Sequence, residues 1–318
     1  MTSIWRAREF STLVILICEV LFFTWYLWPE SGGHPFLNVG NALLILKYSS
    51  IYGIAAIGAA IVIITGGIDL ASGAVIGLTS VVTGYFFVEA GWSLLPSAMM
   101  GMLVGLSAGL VSSWLIVGMK LPPFIATLGV MGIWRGVGYI ITEARFYDLS
   151  AKLPRNWTVA GLSIDWLPPI VMLVLVVIFQ VLMKQFQWGR AIFAVGGNEM
   201  AALFSGVRVG VIKTTAYVTA GLLAATSGVV LAIVQGQGKA DLANGYELDI
   251  IASAVVGGAS LTGGRGSVAG AVLGALIFGV LRNALPQIPG ATFYDRVIVG
   301  LAVIVIVVMD QVMVRRSR

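Results

Sequence analysis

Apolar residues run along this chain in blocks long enough to cross a bilayer, divided by short segments rich in Gly, Pro, Lys and Arg. A helix needs about 20 apolar residues to span the hydrocarbon core, and the pattern predicts ten spans at about 10–28, 42–64, 70–90, 94–118, 122–142, 166–184, 212–234, 247–262, 267–285 and 294–311. The eighth block is the shortest and ends in glycines, so region 247–267 reads either as a full span or as a re-entrant hairpin. The expected fold is all-α: a single polytopic transmembrane helical bundle occupying 1–318, with no room for an extracellular receptor or a soluble catalytic module.

Lys and Arg in short loops orient such a bundle. Arg6 and Arg8 precede the first span, Lys184, Arg190, Arg208 and Lys213 bracket the loop after the sixth, and Arg315, Arg316 and Arg318 follow the tenth. Six spans separate the first cluster from the second and four the second from the third, so ten spans put all three on one face. The N-terminus, the C-terminus and loop 185–211 are therefore expected in the cytoplasm. The first apolar stretch follows two arginines like a signal peptide, but it is longer than a usual secretory core and lacks a small-residue cleavage site, so it reads as a retained helix.

Composition sharpens the picture. Hydrophobic residues make up 58% of the chain and charged residues 10%, whereas a soluble domain carries roughly 25% charged residues. Forty glycines suit close helix approach in lipid, where the hydrophobic effect no longer favours protein over solvent. The net charge of +5 is not interleaved with aromatics in a groove-like stretch, which argues against nucleic acid. Cys18 and His34 are the only residues of their kinds, so neither a disulfide, a metal cluster nor a Ser/His/Asp site is expected.

Charges inside spans need a partner, water or an interface. Glu19 and Arg135 lie at similar depths, roughly 14 and 18 Å along their helices, and are a candidate intramembrane pair, read first as a packing salt bridge and second as a relay. Asp69 lies in a glycine-rich break, either as a cap on the next helix or as part of a path. Pro122-Pro123-Phe124 suits a first helical turn. The strings 66–73 and 257–264 share a GGxxLxxG pattern, and such interruptions in two halves of a chain can mark a transport path. Gly66, Gly67, Asp69, Phe124, Thr127, Gly257 and Gly258 are the candidate path or gate residues.

The cytoplasmic loop reads as a turn at Gly189 and Arg190, a short helix beginning near Asn198 after Gly196 and Gly197, and a stop at Gly206. Met200, Leu203 and Phe204 share one side of that helix. It could lie on lipid or press into a soluble partner, and Ala201, Ala202, Ser205 and Gly206 favour protein. The only dense glycine segment, 263–267, lacks the GxxxxGK[ST] spacing that holds nucleotide phosphates, so this chain is not expected to hydrolyse ATP through a P-loop.

Four strings, TGGIDLASGAVIG (65–77), LPPFIATLGVMGIWRG (121–136), WGRAIFAVGGNEMAALFSGV (188–207) and GYELDIIASAVVGGASLTGGRGSVAGAVLGALI (245–277), resemble the permease subunits of ribose/xylose/arabinose/galactose-type ABC importers. The resemblance covers nearly the whole chain; where that family usually has a serine after IDL, this sequence has Ala71. It implies a non-enzymatic transport subunit of a bacterial inner membrane, paired with a second permease subunit, identical or not. A cytoplasmic ABC ATPase would carry ATP and Mg, and a periplasmic sugar-binding protein would deliver the solute for alternating access. It also implies that Gly189, Arg190, Gly196, Gly197, Asn198, Glu199, Ala201, Ala202, Ser205 and Gly206 couple to the ATPase. An ion- or proton-coupled secondary transporter and an ABC permease for branched-chain amino acids or nucleosides remain open as alternatives.

Overall fold

The computed structural model describes residues 2–28, 36–143, 145–153, 158–159 and 162–290, with 294, 297, 300, 301 and 304 beyond them. The expected tenth span therefore lies largely outside the described residues, as does His34. Helices α1 (Thr2–Tyr26), α2 (Val39–Ile64), α3 (Ser72–Val88), α4 (Leu94–Ser113) and α5 (Pro123–Thr142) come first. Then follow β1 (Tyr147–Asp148), the paired strands β2 (Thr158–Val159) and β3 (Leu162–Ser163), and α6 (Leu167–Gln185). The chain continues through α7 (Gln187–Gly197), α8 (Glu199–Phe204), α9 (Val209–Gln235), β4 (Gln237–Gly238), α10 (Tyr246–Val256) and α11 (Val268–Ala284). Among the described residues, seven helices are long and apolar enough to cross a membrane.

The architecture is a helical bundle built around α2. Residues 49–64 of α2 are buried, and α9, α10, α11 and α6 pack around it. The outermost helix, α1, turns Phe10, Ile15, Ile17, Leu21, Phe22 and Trp25 outward and packs on α11, as a lipid-facing helix does. Where α4 crosses α9, Gly105 meets the Gly221 backbone so closely that a side chain on either would overlap the other's carbonyl. Small residues serve helix contact here because lipid offers no hydrophobic penalty to drive it.

Two helices are interrupted. The 17 residues of α3 extend roughly 25 Å and the 11 of α10 only roughly 16 Å, about half a hydrocarbon core. This corrects the eighth span: 247–262 is a half-length helix that ends at Gly257 and opens into turns with left-handed glycines at 258, 263 and 264. Its missing half is supplied by segment 236–245, which leaves α9 at the left-handed Gly236 and descends along α3. The descent begins where β4 pairs antiparallel with β1, Tyr147 opposite Gly238. Irregular backbone at such depth is sustained because it is enclosed by protein, with Ala240 and Ala243 buried.

Candidate functional site

Loop 185–211 folds as two helices. The expected turn at Gly189 is the first turn of α7, where a Cβ at 189 would overlap the Met183 backbone. Trp188 Nε1 donates to Thr215 Oγ1 at 2.9 Å, tying α7 to α9, and Arg190 Nη1 donates to the Gln185 carbonyl at 3.0 Å. Asn198 caps α8 by accepting from the Ala201 amide at 2.9 Å. The stop at Gly206 is left-handed, with Val207 N–H reaching back to the Ala202 carbonyl. Lys213 pairs with Glu199 at 2.7 Å. Ala202 faces inward, while Ala201, Ser205 and Gly206 face outward beside exposed Met200, Leu203 and Phe204, the last 83% exposed.

Gly196, at the end of α7, lies against both glycine breaks. Its absent side chain makes room for the Ile64 carbonyl at the end of α2, which accepts the Gly264 amide at 2.8 Å. A Cβ on Gly263 would stand 2.7 Å from the Gly196 carbonyl and 3.1 Å from the Gly66 backbone. The two GGxxLxxG strings thus meet each other and the segment between α6 and α9 in one backbone junction. Gly257 sits equally close on the Gly270 backbone, and Gly258 holds φ +97°.

The remaining path candidates separate. Asp69 is buried and accepts the Ala71 amide at 2.9 Å, a local turn ahead of α3. Gly67 lies under the Tyr217 hydroxyl, and buried Thr127 donates to Pro123 O at 2.9 Å and lies 3.3 Å from Ile68 O, fastening α5 to the break. Phe124 points outward from α5, 53% exposed.

The candidate pair Glu19 and Arg135 is corrected. Arg135 donates to Asn244 Oδ1 and stands 3.6 Å from Glu247 Oε2, both supplied by the start of α10. Glu19 Oε2 has no hydrogen-bond partner among the described residues. Depth along two helices ignored rotation about each, and α10 brought a nearer carboxylate. A second pair lies on the same helix: Arg282 Nη2 donates to Asp249 Oδ2 at 2.5 Å, with Asp249 1% exposed, and the guanidinium lies 5.7 Å from the Tyr52 ring centre. Tyr52 packs on Tyr246 at 4.6 Å between ring centres. Asn244, Glu247, Asp249 and Arg282 went unmarked in the sequence reading, although each charge stood in or beside an apolar block and the same cost argument applied to it.

A family model described as "Branched-chain amino acid transport system / permease component" matches residues 41–308. The ribose import permease protein RbsC of Bacillus subtilis is 35% identical over 278 residues, 87% of this chain and 86% of that one. The probable ABC transporter permease protein YphD of Escherichia coli is 32% identical over 98% of this chain and 91% of its own length. The xylose transport system permease protein XylH of Escherichia coli is 30% identical, covering 98% and 93%. No solved structure matches. An interrupted-helix bundle with nearly full-length similarity to these proteins has one place: the chain is a multi-pass membrane protein belonging to the ABC-transporter permease family that this model describes.

Proposed function

We propose that this chain is the membrane-spanning permease subunit of an ATP-driven importer that carries a monosaccharide. The observation that carries the reading is the outward edge of α8. Met200, Leu203 and Phe204 are exposed on a helix whose cap, stop and Glu199–Lys213 pair hold it rigid. A short helix with apolar anchors braced in this way is suited to seat in a groove of a soluble partner, here an ABC ATPase bearing ATP and Mg. Its displacement would reach both glycine breaks through Gly196, giving alternating access with a second permease subunit on the other side of the path. The three Lys/Arg clusters support a cytoplasmic N-terminus, C-terminus and 185–211 segment in a bacterial inner membrane, leaving the opposite face to a periplasmic sugar-binding protein. The names of the ribose and xylose permeases support a sugar as cargo.

The test is affinity purification in mild detergent with mass spectrometry of copurifying proteins. A P-loop ATPase is expected with the wild type and lost with Phe204→Asp. Recovery of the chain alone, with uptake that survives ATP depletion and stops when the proton gradient collapses, would overturn the reading in favour of a secondary transporter. The family description favours a second reading, a branched-chain amino acid as cargo; ATP-dependent uptake of leucine in place of ribose and xylose would establish it.

A further inference from the structure

The start of α10 holds an arrangement that the docking edge and the glycine junction leave unused. Segment 236–245 follows α3 so closely that a Cβ at Gly77 would stand 2.6 Å from the Ala240 carbonyl, and it turns into α10 at Gly245, φ +91°. This delivers Asn244 and Glu247 to Arg135 of α5 and to the first turn of α3, where a side chain on Gly73 would overlap Glu247 Oε2. Two interrupted helices therefore begin at one point. The far end of α10 leads into the turns that meet Gly196, so this point lies roughly 16 Å from that junction, near the middle of the hydrocarbon core.

We propose that Arg135, Asn244 and Glu247 form a contact site for the hydroxyl groups of the transported solute, a neutral polyhydroxylated ring; this rests on the importer reading above. Arg135 Nε and Nη2 and Glu247 Oε2 are buried without a hydrogen-bond partner among the described residues, as are Ser72 Oγ beside Gly73 and Trp134 Nε1 beside Arg135. Buried polar atoms are nearly always satisfied, and four residues at the starts of α3 and α10 and on one turn of α5 depart from that rule together. Their spare capacity is mixed, donors and acceptors side by side. A hydroxyl donates and accepts through one atom and bridges Arg135 Nη2 and Glu247 Oε2 without separating them, whereas the ends of an amino-acid zwitterion would have to break that pair. The charges of Arg135 and Glu247 cancel, as do those of Arg282 and Asp249, so the wall favours neither an anion nor a cation. Tyr246 packed on Tyr52, with Arg282 held by Asp249 above it, fixes the start of α10 from behind and preorganises the contact.

The test uses the complete importer, permease with its ATPase and binding protein, in proteoliposomes. Uptake of ribose and of xylose is measured beside binding-protein-stimulated ATP hydrolysis, with melting temperature as a check on folding. Asn244→Ala and Glu247→Gln are expected to cut uptake about 10-fold or more, the loss of a hydrogen bond involving a charged group, while stimulated hydrolysis stays within about twofold. Asn244→Asp is expected to change the ribose-to-xylose ratio, which a packing role would leave alone. Unchanged uptake in both variants, or uptake and hydrolysis falling in parallel with an unaltered ratio, would overturn the site. A wild type with ATP-dependent uptake of leucine alone would overturn its ligand class, and one with no ATP-dependent uptake would overturn the importer reading before any variant is compared.

Discussion

The junction at Gly196 and the cluster at Arg135 lie at opposite ends of α10 and are built from opposite materials. At the junction the contacts are backbone on backbone: Ile64, Gly66, Gly196, Gly263 and Gly264 meet without an intervening side chain, and the Gly264 amide is satisfied by the Ile64 carbonyl. At the cluster, charged side chains reach across from α5 and α10 and leave polar atoms over. Close-packed backbone has little freedom to adjust and passes displacement on. Unfilled hydrogen-bonding capacity in a low-dielectric setting is costly until a partner meets it. On the importer reading proposed above, the contrast suits transmission at the Val256 end of α10 and solute contact at its Tyr246 end.

The largest effect is expected from breaking the support of the cluster. Asp249 is almost fully buried, so Asp249→Ala removes a buried carboxylate that pairs with Arg282 and is expected to cost about 3 kcal/mol, the lower end for a buried pair because Arg282 is partly exposed. Differential scanning fluorimetry in detergent would register this as a clear fall in melting temperature. Glu247→Gln, which keeps its shape and whose pair already lacks hydrogen-bond geometry, is expected to shift melting far less while affecting uptake. Equal destabilisation by the two would erase the distinction between a buttress and a contact.

Next comes the junction. Gly196→Ala places a methyl on the Ile64 carbonyl and is expected to cost about 1–3 kcal/mol, as overpacking does, and to weaken stimulation of ATP hydrolysis. Gly197→Ala is the matched control, because a Cβ there meets nothing within 4 Å among the described residues. Similar losses from neighbouring glycines would show that the Ile64 contact does not decide, since alanine is the better helix former at both positions.

A smaller effect belongs to α8, the helix proposed above to dock the ATPase. Asn198→Ala removes the cap of α8 and is expected to cost about 1 kcal/mol of local stability, seen as weaker ATPase copurification and restored by Asn198→Asp. Failure of Asp to restore it would mean that Asn198 touches the partner itself.

How much of this was legible follows the same division. Apolar blocks placed α2, α4, α5, α6, α9 and α11 closely, because span length is a local property of sequence. Pro123 opens α5 and Asn198 opens α8 as their residue types required, whereas Asp69 is not the cap of α3: it holds the Ala71 amide in a local turn, and Ala71 stands at the N-cap. The glycine strings marked both breaks, but nothing in their spacing said that they would touch. The Arg135 pairing failed because intramembrane partners are chosen by rotation and by the path of 236–245, which is tertiary information. Helix α7 was read as a turn, since Gly189 and Gly196 look like breakers until their packing against Met183 and Ile64 is seen.

The faintest test lies where the chain enters the segment that leads to the cluster. Asp148, at the end of β1, accepts the Ser150 hydroxyl at 2.5 Å and the Ser150 amide at 2.9 Å, and the Leu149 and Ser150 amides in turn hold the Gly236 carbonyl. The Ser150 hydroxyl, helped by the Ser150 amide, holds this carboxyl below its ordinary value of 3.8. A depressed carboxyl contributes stability that is present above the unfolded value and is lost as pH falls through the folded one. The contact is fully exposed to solvent, so the consequence is local. Hydrogen exchange at the Leu149 and Ser150 amides is expected to be faster in Asp148→Ala than in wild type at about pH 7, with the ratio approaching one as the pH falls through the carboxyl's lowered folded value. A ratio that stayed constant to that pH would mean that the strand pairing, not the carboxylate, closes this end, and that the two ends of the segment differ less in construction than Gly196 and Arg135 do.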